Sequence, residues 1–459
     1  MSIHARLAPY KSLVLLALPV ALQTAIFSSK STVDTIMLAS LSEIDIAAIG
    51  LAAKAQMVIS FFIIGLSIGG GQVAAQCFGI KTEDGPRKLH TTVLITLLLS
   101  LATALFFFTL LFFFPHPLMG LGSQSQDIIN KGAIYLQTIA VSLFCFAYAS
   151  SIASGLRAMH QPAIATKISF IGVGLNLLLN WLLIFGHFGF PAMGIEGAAL
   201  GTAISAVIEC IALYLYLLVK EHPLTHFRVA QFVALKYKDI KVVARLSVTA
   251  AVNAVIWAAG LFAFHAILGF SDPNLLIALS VLAPLEAFAM SLLIGLSTAG
   301  SILIGNMVGA NKLDELPQAV RLHLYFSAAV GVVTALVLSL LEFPLLSLFF
   351  HAEVPSDAQK LTSSLFSLMA ASLVIKSISM MLIVGILRAG GDAMFCLMTD
   401  VFAQWIFLLP CAFLLTHVFN YPPQYLLGLV IIEECLKAVI CGWRLKSKRW
   451  VKNVAADLH

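Results

Sequence analysis

Long apolar stretches divide this chain at regular intervals, and the breaks between them are short and polar. Most of the stretches are about 20 residues or longer, which is enough to cross roughly 30 Å of hydrocarbon. In lipid, a helix satisfies every backbone polar group within one segment, so we expect each stretch to be helical. The pattern predicts twelve spans, at residues 10–40, 46–79, 88–114, 127–153, 163–186, 196–219, 239–269, 275–308, 318–349, 357–388, 394–416 and 424–445.

The second half of this pattern repeats the first. At an offset of 230, residues 65–80 and 295–310 share Gly65/Gly295, Leu66/Leu296, Ser67/Ser297, Gly70/Gly300 and Gly79/Gly309. Each half holds six spans, and an even number inserts both copies in the same orientation. Such a repeat is typical of a duplicated transporter, which handles its substrate between or within two related bundles.

The repeat also predicts the domain organisation. We expect an all-α polytopic membrane protein whose twelve helices form two pseudo-symmetric six-helix bundles arranged in a V. The first lobe covers residues 1–219 and the second covers 239–445. Between them, residues 220–238 form an amphipathic linker on the cytoplasmic membrane surface, and residues 446–459 form a basic cytoplasmic tail.

Composition and charge placement narrow the class of protein. Hydrophobic residues make up 60% of the chain and charged residues 11%, which excludes an ordinary soluble domain. Lys and Arg concentrate at the N-terminus, in alternate loops and in the tail, and this asymmetry predicts that both termini are cytoplasmic. It also accounts for the net charge of +5 without a nucleic-acid partner. The seven cysteines lie within or at the ends of predicted helices, so they indicate no disulfide, metal or cofactor site.

Few ionisable groups interrupt the spans, and a buried charge in a membrane marks either function or a paired partner. Asp34, near the outer end of span 1, is the leading candidate in the first half. Lys30 lies four residues earlier on the same helix face, so proton coupling and simple ion pairing are both open. Pro19 removes a backbone hydrogen bond from the same span, and it is either a hinge or a static kink.

Neutral polar groups accompany this acid. Asn176 and Asn180 lie one turn apart on span 5, where two amides hold a cation, a water or a polar substrate group, or clamp two helices together. Thr202 on span 6, and Tyr135 and Gln137 on span 4, are candidates to join them. With many Phe, Met and Leu residues nearby in sequence, this set suits a bulky, amphipathic organic cation.

The second half differs in its polar groups. Span 7 contains Asn253 but no acid. Lys376 lies near the middle of span 10, and we expect it to be a counter-ion for Glu286 of span 8 or for another buried acid. A fixed ammonium there would repel a bound metal ion. The remaining ionisable groups in the spans have no assigned role; they are Lys54, Glu209, Asp400, Glu433 and Glu434.

Three motifs resemble those of multidrug and toxic compound extrusion (MATE) transporters. The sequence VDTIMLASLSEIDIAAIGLA at 33–52 is similar to the end of span 1 and the start of span 2 in that family. AQCFG at 75–79 and GNMVGANKLDE at 305–315 resemble its paired signatures after spans 2 and 8. The resemblance covers almost the whole twelve-span layout and is greatest for the bacterial DinF-type branch. In that branch it implies that Asp34 is the coupling carboxylate.

The sequence departs from the family pattern at two sites. The family's span 5 carries Asn followed four residues later by an acid, whereas Asn180 stands at that second position here. The NorM-type branch carries acids in spans 7 and 10, where Asn253 and Lys376 stand instead. Both departures weaken the case for a sodium site.

The resemblance therefore implies a proton-coupled antiporter of the bacterial cytoplasmic membrane, not an enzyme. We expect it to export drug-like cations and to be a monomer, and bending of span 1 at Pro19 is a possible switch. Two alternatives are a sodium-coupled drug antiporter and a lipid-linked oligosaccharide flippase of the same superfamily, whose cavity should be basic. An intramembrane enzyme would need a nucleophile, a base and an orienting group at one depth. His265 and His417 lie near span ends and form no such group.

Overall fold

The computed structural model describes residues 3–38, 41–225, 227, 231–232, 235–269, 273–347, 356–419, 421 and 424–458. Within them, ten helices are long and apolar enough to cross a membrane, and a helix pair bent by 45° gives an eleventh span. The twelfth predicted span matches the helix Gln424–Lys446, which is less apolar because it carries Glu433, Glu434 and Lys437. The prediction of an all-α polytopic membrane fold is confirmed.

The helices of the first half end where the sequence supplies local signals. Pro162 begins span 5, where its missing N–H costs no helical hydrogen bond, and Gly186 ends it in the left-handed conformation with φ of +74°. A short helix, Pro115–Gly120, follows span 3, and single 3-10 turns cover His187–Gly189 and Pro223–Thr225. Spans 1 to 6 are the helices Ile3–Leu38, Glu43–Gly79, Asp84–Phe113, the bent pair Gln126–Ala140 and Ser142–Ala158, Pro162–Phe185 and Gly194–Val219.

The second half contains wider, π-helical turns in spans 10 and 11. Pro410 lies two residues after the end of one of them, so the regular helix is interrupted close to a residue that cannot donate a backbone hydrogen bond. Pro284 lies inside span 8. Spans 7 to 12 are Tyr237–Gly269, Pro273–Gly309, Leu316–Leu340, Ser356–Met380 with the π-helix Met381–Leu387, Ala393–Asp400 through Val401–Leu408, Leu409–Phe413 and Leu414–Val418, and Gln424–Lys446. The short helix Glu342–Ser347 and the 3-10 turn Val454–Asp457 complete this half.

Backbone contacts divide the chain into two compact units. Unit 1 consists of Met1–Ala25, Gly79–Lys81 and Val252–Ala456, and unit 2 consists of Ile26–Phe78, Thr82–Ala251 and Asp457–His459. The helices of spans 1 and 7 therefore each contribute their first part to one unit and their second part to the other. The predicted lobe boundaries at 219 and 239 assign spans 1 and 7 to one lobe each, whereas the units divide both helices.

Glycines allow helices to approach closely in both units. In unit 2, a Cβ on Gly65 would lie 2.4 Å from the Cα of Ala251. In unit 1, a Cβ on Gly295 would lie 2.6 Å from the Cβ of Ala21 and from the carbonyl oxygen of Ala17. Gly65 and Gly295 are 230 residues apart, and so are Ala21 and Ala251. The offset seen in the sequence thus recurs in the packing inside each unit.

The linker packs against unit 2 at its beginning. Leu224 is fully buried, and Nε2 of His90 lies 3.0 Å from the carbonyl oxygen of Pro223. The ring of Phe227 lies 4.6 Å from the ring of His90. Residues 226, 228–230 and 233–234 lie outside the described chain, and an amphipathic linker on the membrane surface stays a prediction.

The basic tail packs onto the loop between spans 10 and 11. Asp392 is buried in that loop, and it accepts hydrogen bonds from Nε of Arg444 at 2.8 Å and from Nζ of Lys452 at 2.6 Å. Trp450 is only 3% exposed and lies against Gly390, where a Cβ would meet its ring at 2.2 Å. The tail between residues 446 and 456 is therefore part of the packed fold of unit 1.

Candidate coupling and substrate site

Span 5 brings a polar face against span 1 in unit 2. Nδ2 of Asn180 donates a hydrogen bond of 2.9 Å to Oδ1 of Asp34. Asn180 is 2% exposed, whereas Asp34 is half-buried. Gly201 of span 6 makes room for this amide, because a Cβ there would lie 2.4 Å from Oδ1 of Asn180. The amide is thus fixed by packing on one side and aimed at the carboxylate on the other.

The second amide joins span 5 to span 6. Nδ2 of Asn176 lies 3.4 Å from Oγ1 of Thr202 and 3.3 Å from Oγ of Ser205. In the described chain, Oδ1 of Asn176 and Oδ1 of Asn180 are both buried without a hydrogen-bond donor. Two orphaned amide oxygens close to a carboxylate can accept a proton donor, a water or a cation.

Lys30 does not form the close pair with Asp34 that its spacing allows. Among the described ion pairs within 4.0 Å, none joins these two side chains. The Lys30 ammonium is still near enough to attract Asp34, and it also attracts Glu209 of span 6. Local ion pairing therefore does not account for Asp34, and the carboxylate has Asn180 as its direct partner.

Glu209 extends the polar face of span 6. It lies four residues after Ser205, accepts a hydrogen bond from Ser169 and packs on Gly172, where a Cβ would lie 2.6 Å from its Oε2. The sequence analysis assigned Glu209 no role, although its spacing from Thr202 and Ser205 places all three on one helix face. The face shared by spans 5 and 6 therefore contains a second carboxyl group.

The two candidates on span 4 lie in different environments. Tyr135 is 8% exposed, belongs to the core of unit 2, and is near enough to Asp34 to feel its charge. Gln137 donates a hydrogen bond of 2.9 Å from Nε2 to the carbonyl oxygen of Phe112, at the end of span 3. The structure therefore places Tyr135 beside the site and Gln137 in a helix-to-helix contact, contrary to the expectation that both join the amides.

Unit 1 contains its own buried polar cluster. Lys376 forms an ion pair with Glu286, as its mid-span position predicted. Nδ2 of Asn253 donates a 3.0 Å hydrogen bond to Oδ2 of Asp400, although the sequence analysis gave Asp400 no partner. In the helix of span 12, Nζ of Lys437 lies 2.9 Å from a carboxylate oxygen of Glu433 and of Glu434. Ser379 also donates a hydrogen bond to Glu434.

Lys437 is the residue of this cluster that the sequence analysis missed. It lies four residues after Glu433 and three after Glu434, which is the spacing of ion pairs on one helix face. The side chain of Lys437 is 5% exposed. The spacing was a readable signal that the two adjacent acids have an internal counter-ion.

The family comparison matches both halves of the chain. A family model described as MatE matches residues 19–182 and 249–414. The two matched segments begin 230 residues apart, which is the offset of the internal repeat. Together they cover more than half of the sequence.

Individual proteins of known sequence or structure agree with this assignment. "Probable multidrug resistance protein YoeA" of Bacillus subtilis is 24% identical over 400 residues, which are 84% of this chain and 83% of that protein. A solved MATE structure in a straight conformation aligns with a TM-score of 0.85 at 17% identity and 96% coverage of each chain. A MATE structure in a bent conformation aligns with a TM-score of 0.83 at 17% identity, with 98% of this chain and 97% of that chain covered. At this identity the structural likeness shows the fold alone.

Proposed function

This chain belongs to the MatE family, and we propose that it exports amphipathic organic cations in exchange for protons bound at Asp34. Multidrug efflux by a MATE-family transporter is the coarser function that its relatives support. The proposal that protons bind at Asp34 rests on the hydrogen bond from buried Asn180 to half-buried Asp34. A carboxyl group in this position is accessible enough to exchange a proton and buried enough for its charge to matter.

Asn180 suits both protonation states of Asp34. Toward the ionised carboxylate its Nδ2 donates, which is the arrangement in the structure. After rotation of the amide, its Oδ1 accepts from a protonated Asp34, and this oxygen has no donor in the described chain. A single residue therefore makes a hydrogen bond to Asp34 in either protonation state.

Competition between a proton and an organic cation for the Asp34 carboxylate couples their movements. An ionised Asp34 attracts an organic cation, whereas a protonated Asp34 loses that attraction and favours release. The Lys30 ammonium offsets part of the negative charge of an ionised Asp34, so a bound cation needs additional stabilisation, which an organic cation gains by burying its apolar surface and a metal ion does not. Cation and proton thus alternate at one group, which is the requirement for coupled antiport.

The membrane supplies the driving force. In a bacterial cytoplasmic membrane with both termini inside, an entering proton gains about 2.3 kcal/mol per 100 mV of potential. The same potential opposes the exit of a monovalent cation by a similar amount. A one-for-one exchange is therefore driven by the pH gradient, and a larger proton number adds the electrical term.

Span 1 is the element that would respond to protonation. Its helix runs without interruption from Ile3 to Leu38, through Pro19, and it changes from unit 1 to unit 2 after Ala25. Pro19 already lacks one backbone hydrogen bond, so bending there disrupts less than bending elsewhere. The similar MATE structures in straight and bent conformations are consistent with such a hinge in this chain.

Transport by the full chain in reconstituted vesicles tests the proposal. Ethidium serves as the organic cation, and proton and sodium gradients are imposed separately. We expect a proton gradient alone to drive ethidium transport, Asp34→Asn to abolish it, and Asp127→Asn, at an exposed carboxylate, to leave it unchanged. Transport driven by sodium alone, or full proton-driven transport by Asp34→Asn, would overturn the proposal.

A further inference from the structure

In the part of the chain that the structure describes, each unit contains a hydrogen bond between an asparagine and an aspartate, and in both units it joins the first and fifth spans of a half. In unit 2, Asn180 of span 5 donates to Asp34 of span 1. In unit 1, Asn253 of span 7 donates to Asp400 of span 11. Spans 1 and 7 are equivalent in the repeat, and so are spans 5 and 11. The acid and the amide have therefore exchanged helices between the two units.

The pair in unit 1 is the more deeply buried of the two. Asp400 is 6% exposed and Asn253 is 3% exposed, whereas Asp34 is half-buried. Asp400 lies near the start of span 11, while Asn180 lies near the end of span 5, its equivalent in the repeat. The two hydrogen-bonded pairs thus use opposite ends of equivalent helices.

Asp400 takes part in none of the described ion pairs, although charged groups surround it. The titratable or charged groups that face Asp400 or its neighbours come from spans 7, 8, 10, 11 and 12 and from the loop between spans 10 and 11. Among the described residues they include the carboxylates Glu286, Glu433 and Glu434 and the cations Lys376, Arg388 and Lys437, and Asp392, which is paired with Arg444 and Lys452, also lies near Cys396. The thiols of Cys396 and Cys441 also interact electrostatically with Asp400, and His265 interacts in the same way with Glu286.

An uncompensated carboxylate at this depth is costly, and a bound proton removes the cost. Glu286 forms an ion pair with Lys376. Glu434 forms an ion pair with Lys437 and accepts a hydrogen bond from Ser379. Glu433 shares Lys437. Asp400 has only a neutral amide as its direct described partner, so it is the carboxylate that most needs a proton.

The surroundings of Asp400 add two further observations. Gln404 lies four residues later on the same helix and is 4% exposed, and its Oε1 is buried without a donor in the described chain. Its amide nitrogen already donates to the carbonyl oxygen of Trp257 at 3.1 Å. Asp400 also directly precedes the π-helix Val401–Leu408, and π-helical turns are frequent at functional sites.

We propose that Asp400 is a second proton-binding site of this protein, the counterpart in unit 1 of Asp34 in unit 2. Asn253 holds the carboxyl group, and the ions on spans 10 and 12 set its charge environment. Its ligand is the proton, which it binds without competition from an organic cation because the site is buried among protein ions. The role of this second site in transport rests on the proposed function, whereas proton binding at Asp400 does not.

Infrared spectroscopy of the purified full chain tests proton binding directly. The carbonyl stretch of a protonated carboxyl group is resolved from that of a carboxylate, so a pH titration counts the groups that hold a proton near neutrality. In an Asp34→Asn background, we expect a protonated-carboxyl band at pH 7 that disappears in Asp34→Asn/Asp400→Asn. It should persist in Asp34→Asn/Asp314→Asn, where the second change is at an exposed loop residue.

A second variant guards against misfolding of the double mutant. Asn253→Leu removes the donor to Asp400 but keeps the carboxyl group, so the ionised state loses its hydrogen bond. We expect its protonated-carboxyl band to survive to more alkaline pH than in the Asp34→Asn background alone. A protonated-carboxyl band that is unaffected by Asp400→Asn and by Asn253→Leu would overturn the assignment of a proton to Asp400. The absence of any such band, with a protonated His265 balancing the charge instead, would overturn it as well.

Transport stoichiometry separates this proposal from the proposed function. From the reversal potential of ethidium exchange, we expect about two protons per ethidium in the wild type and about one in Asp400→Asn. Coupling that is lost in Asp34→Asn but unchanged in Asp400→Asn would support the proposed function and contradict the second site. Failure of Asp34→Asn to affect coupling would contradict the proposed function while leaving the infrared result to decide the second site.

Discussion

Nδ2 of Asn180 lies 2.9 Å from Oδ1 of Asp34, although 146 residues separate them in the sequence. The contact joins an acid of span 1 to an amide of span 5, and Asn180 occupies the position where the family pattern has an acid. A carboxyl group and an amide at this distance can accommodate one proton without a second negative charge nearby.

Asn180→Asp should make export depend differently on pH. The substitution puts two carboxyl groups at hydrogen-bond distance, and two like charges this close share a proton rather than both ionise. Proton-driven ethidium transport should therefore shift its optimum toward alkaline pH by roughly one unit or more. The shift is measured in vesicles over a pH series, and an unchanged profile would indicate that residue 180 does not control Asp34.

Gly201→Ala should weaken both stability and transport. The new methyl group would lie 2.4 Å from Oδ1 of Asn180, so the amide that donates to Asp34 must shift. Overpacking of this kind costs about 1–3 kcal/mol. Gly174→Ala on span 5 is the matched control, because a Cβ there meets nothing within 4 Å. Equal melting temperatures and transport rates for the two variants would contradict the packing role of Gly201.

Asp392→Asn should destabilise the protein by releasing the tail from the loop between spans 10 and 11. The carboxylate of Asp392 is almost fully buried and forms ion pairs with both Arg444 and Lys452. Loss of one partner from a buried ion pair costs about 3–5 kcal/mol, and the cost here should be smaller because Lys452 is 51% exposed.

Thermal unfolding in detergent measures the effect of Asp392→Asn. Glu315→Gln serves as the control, because the Lys312–Glu315 pair is exposed and such pairs contribute about 0–1 kcal/mol. A melting temperature of Asp392→Asn no lower than that of Glu315→Gln would show that the tail contact does not stabilise the fold.

The linker should loosen in acid because of His222. Burial lowers the pKa of this histidine below its ordinary value, and its Nδ1 accepts a hydrogen bond from the Leu224 N–H at 3.2 Å. The unfolded segment therefore binds more protons than the folded one, so stability is full above the ordinary histidine pKa of about 6.5 and is lost as pH falls toward the lowered value.

His222→Asn keeps an acceptor near the position of Nδ1 and removes the titration. We expect hydrogen exchange of the amides of residues 222, 224 and 225 to rise on acidification in the wild type more than in His222→Asn, after correction for intrinsic rates. His116→Asn, at an exposed histidine, should behave as the wild type. The same acid response in His222→Asn would assign it to another group.

The sequence predicted the membrane fold and the main members of both polar clusters, because hydropathy and one-turn spacing are local properties. Asn176 and Asn180 share a face through helix geometry alone, and Lys376 needed a counter-ion wherever it lay. The partner of Asp400 and the contact of Gln137 with Phe112 depend on which helices pack together, and this information is not local. Trp450 is similar: it lies in a basic segment, and only the packed tail shows why an apolar side chain stands there.

Proton release by the purified protein shows whether ethidium and a proton compete for Asp34. Ethidium is added to the full chain in a weakly buffered detergent solution, and a pH indicator reports the protons released. If cation and proton compete for Asp34, the wild type should release about one proton per protein more than Asp34→Asn does. Equal release from the two proteins would show that ethidium binding does not displace a proton from Asp34, and it would contradict the account.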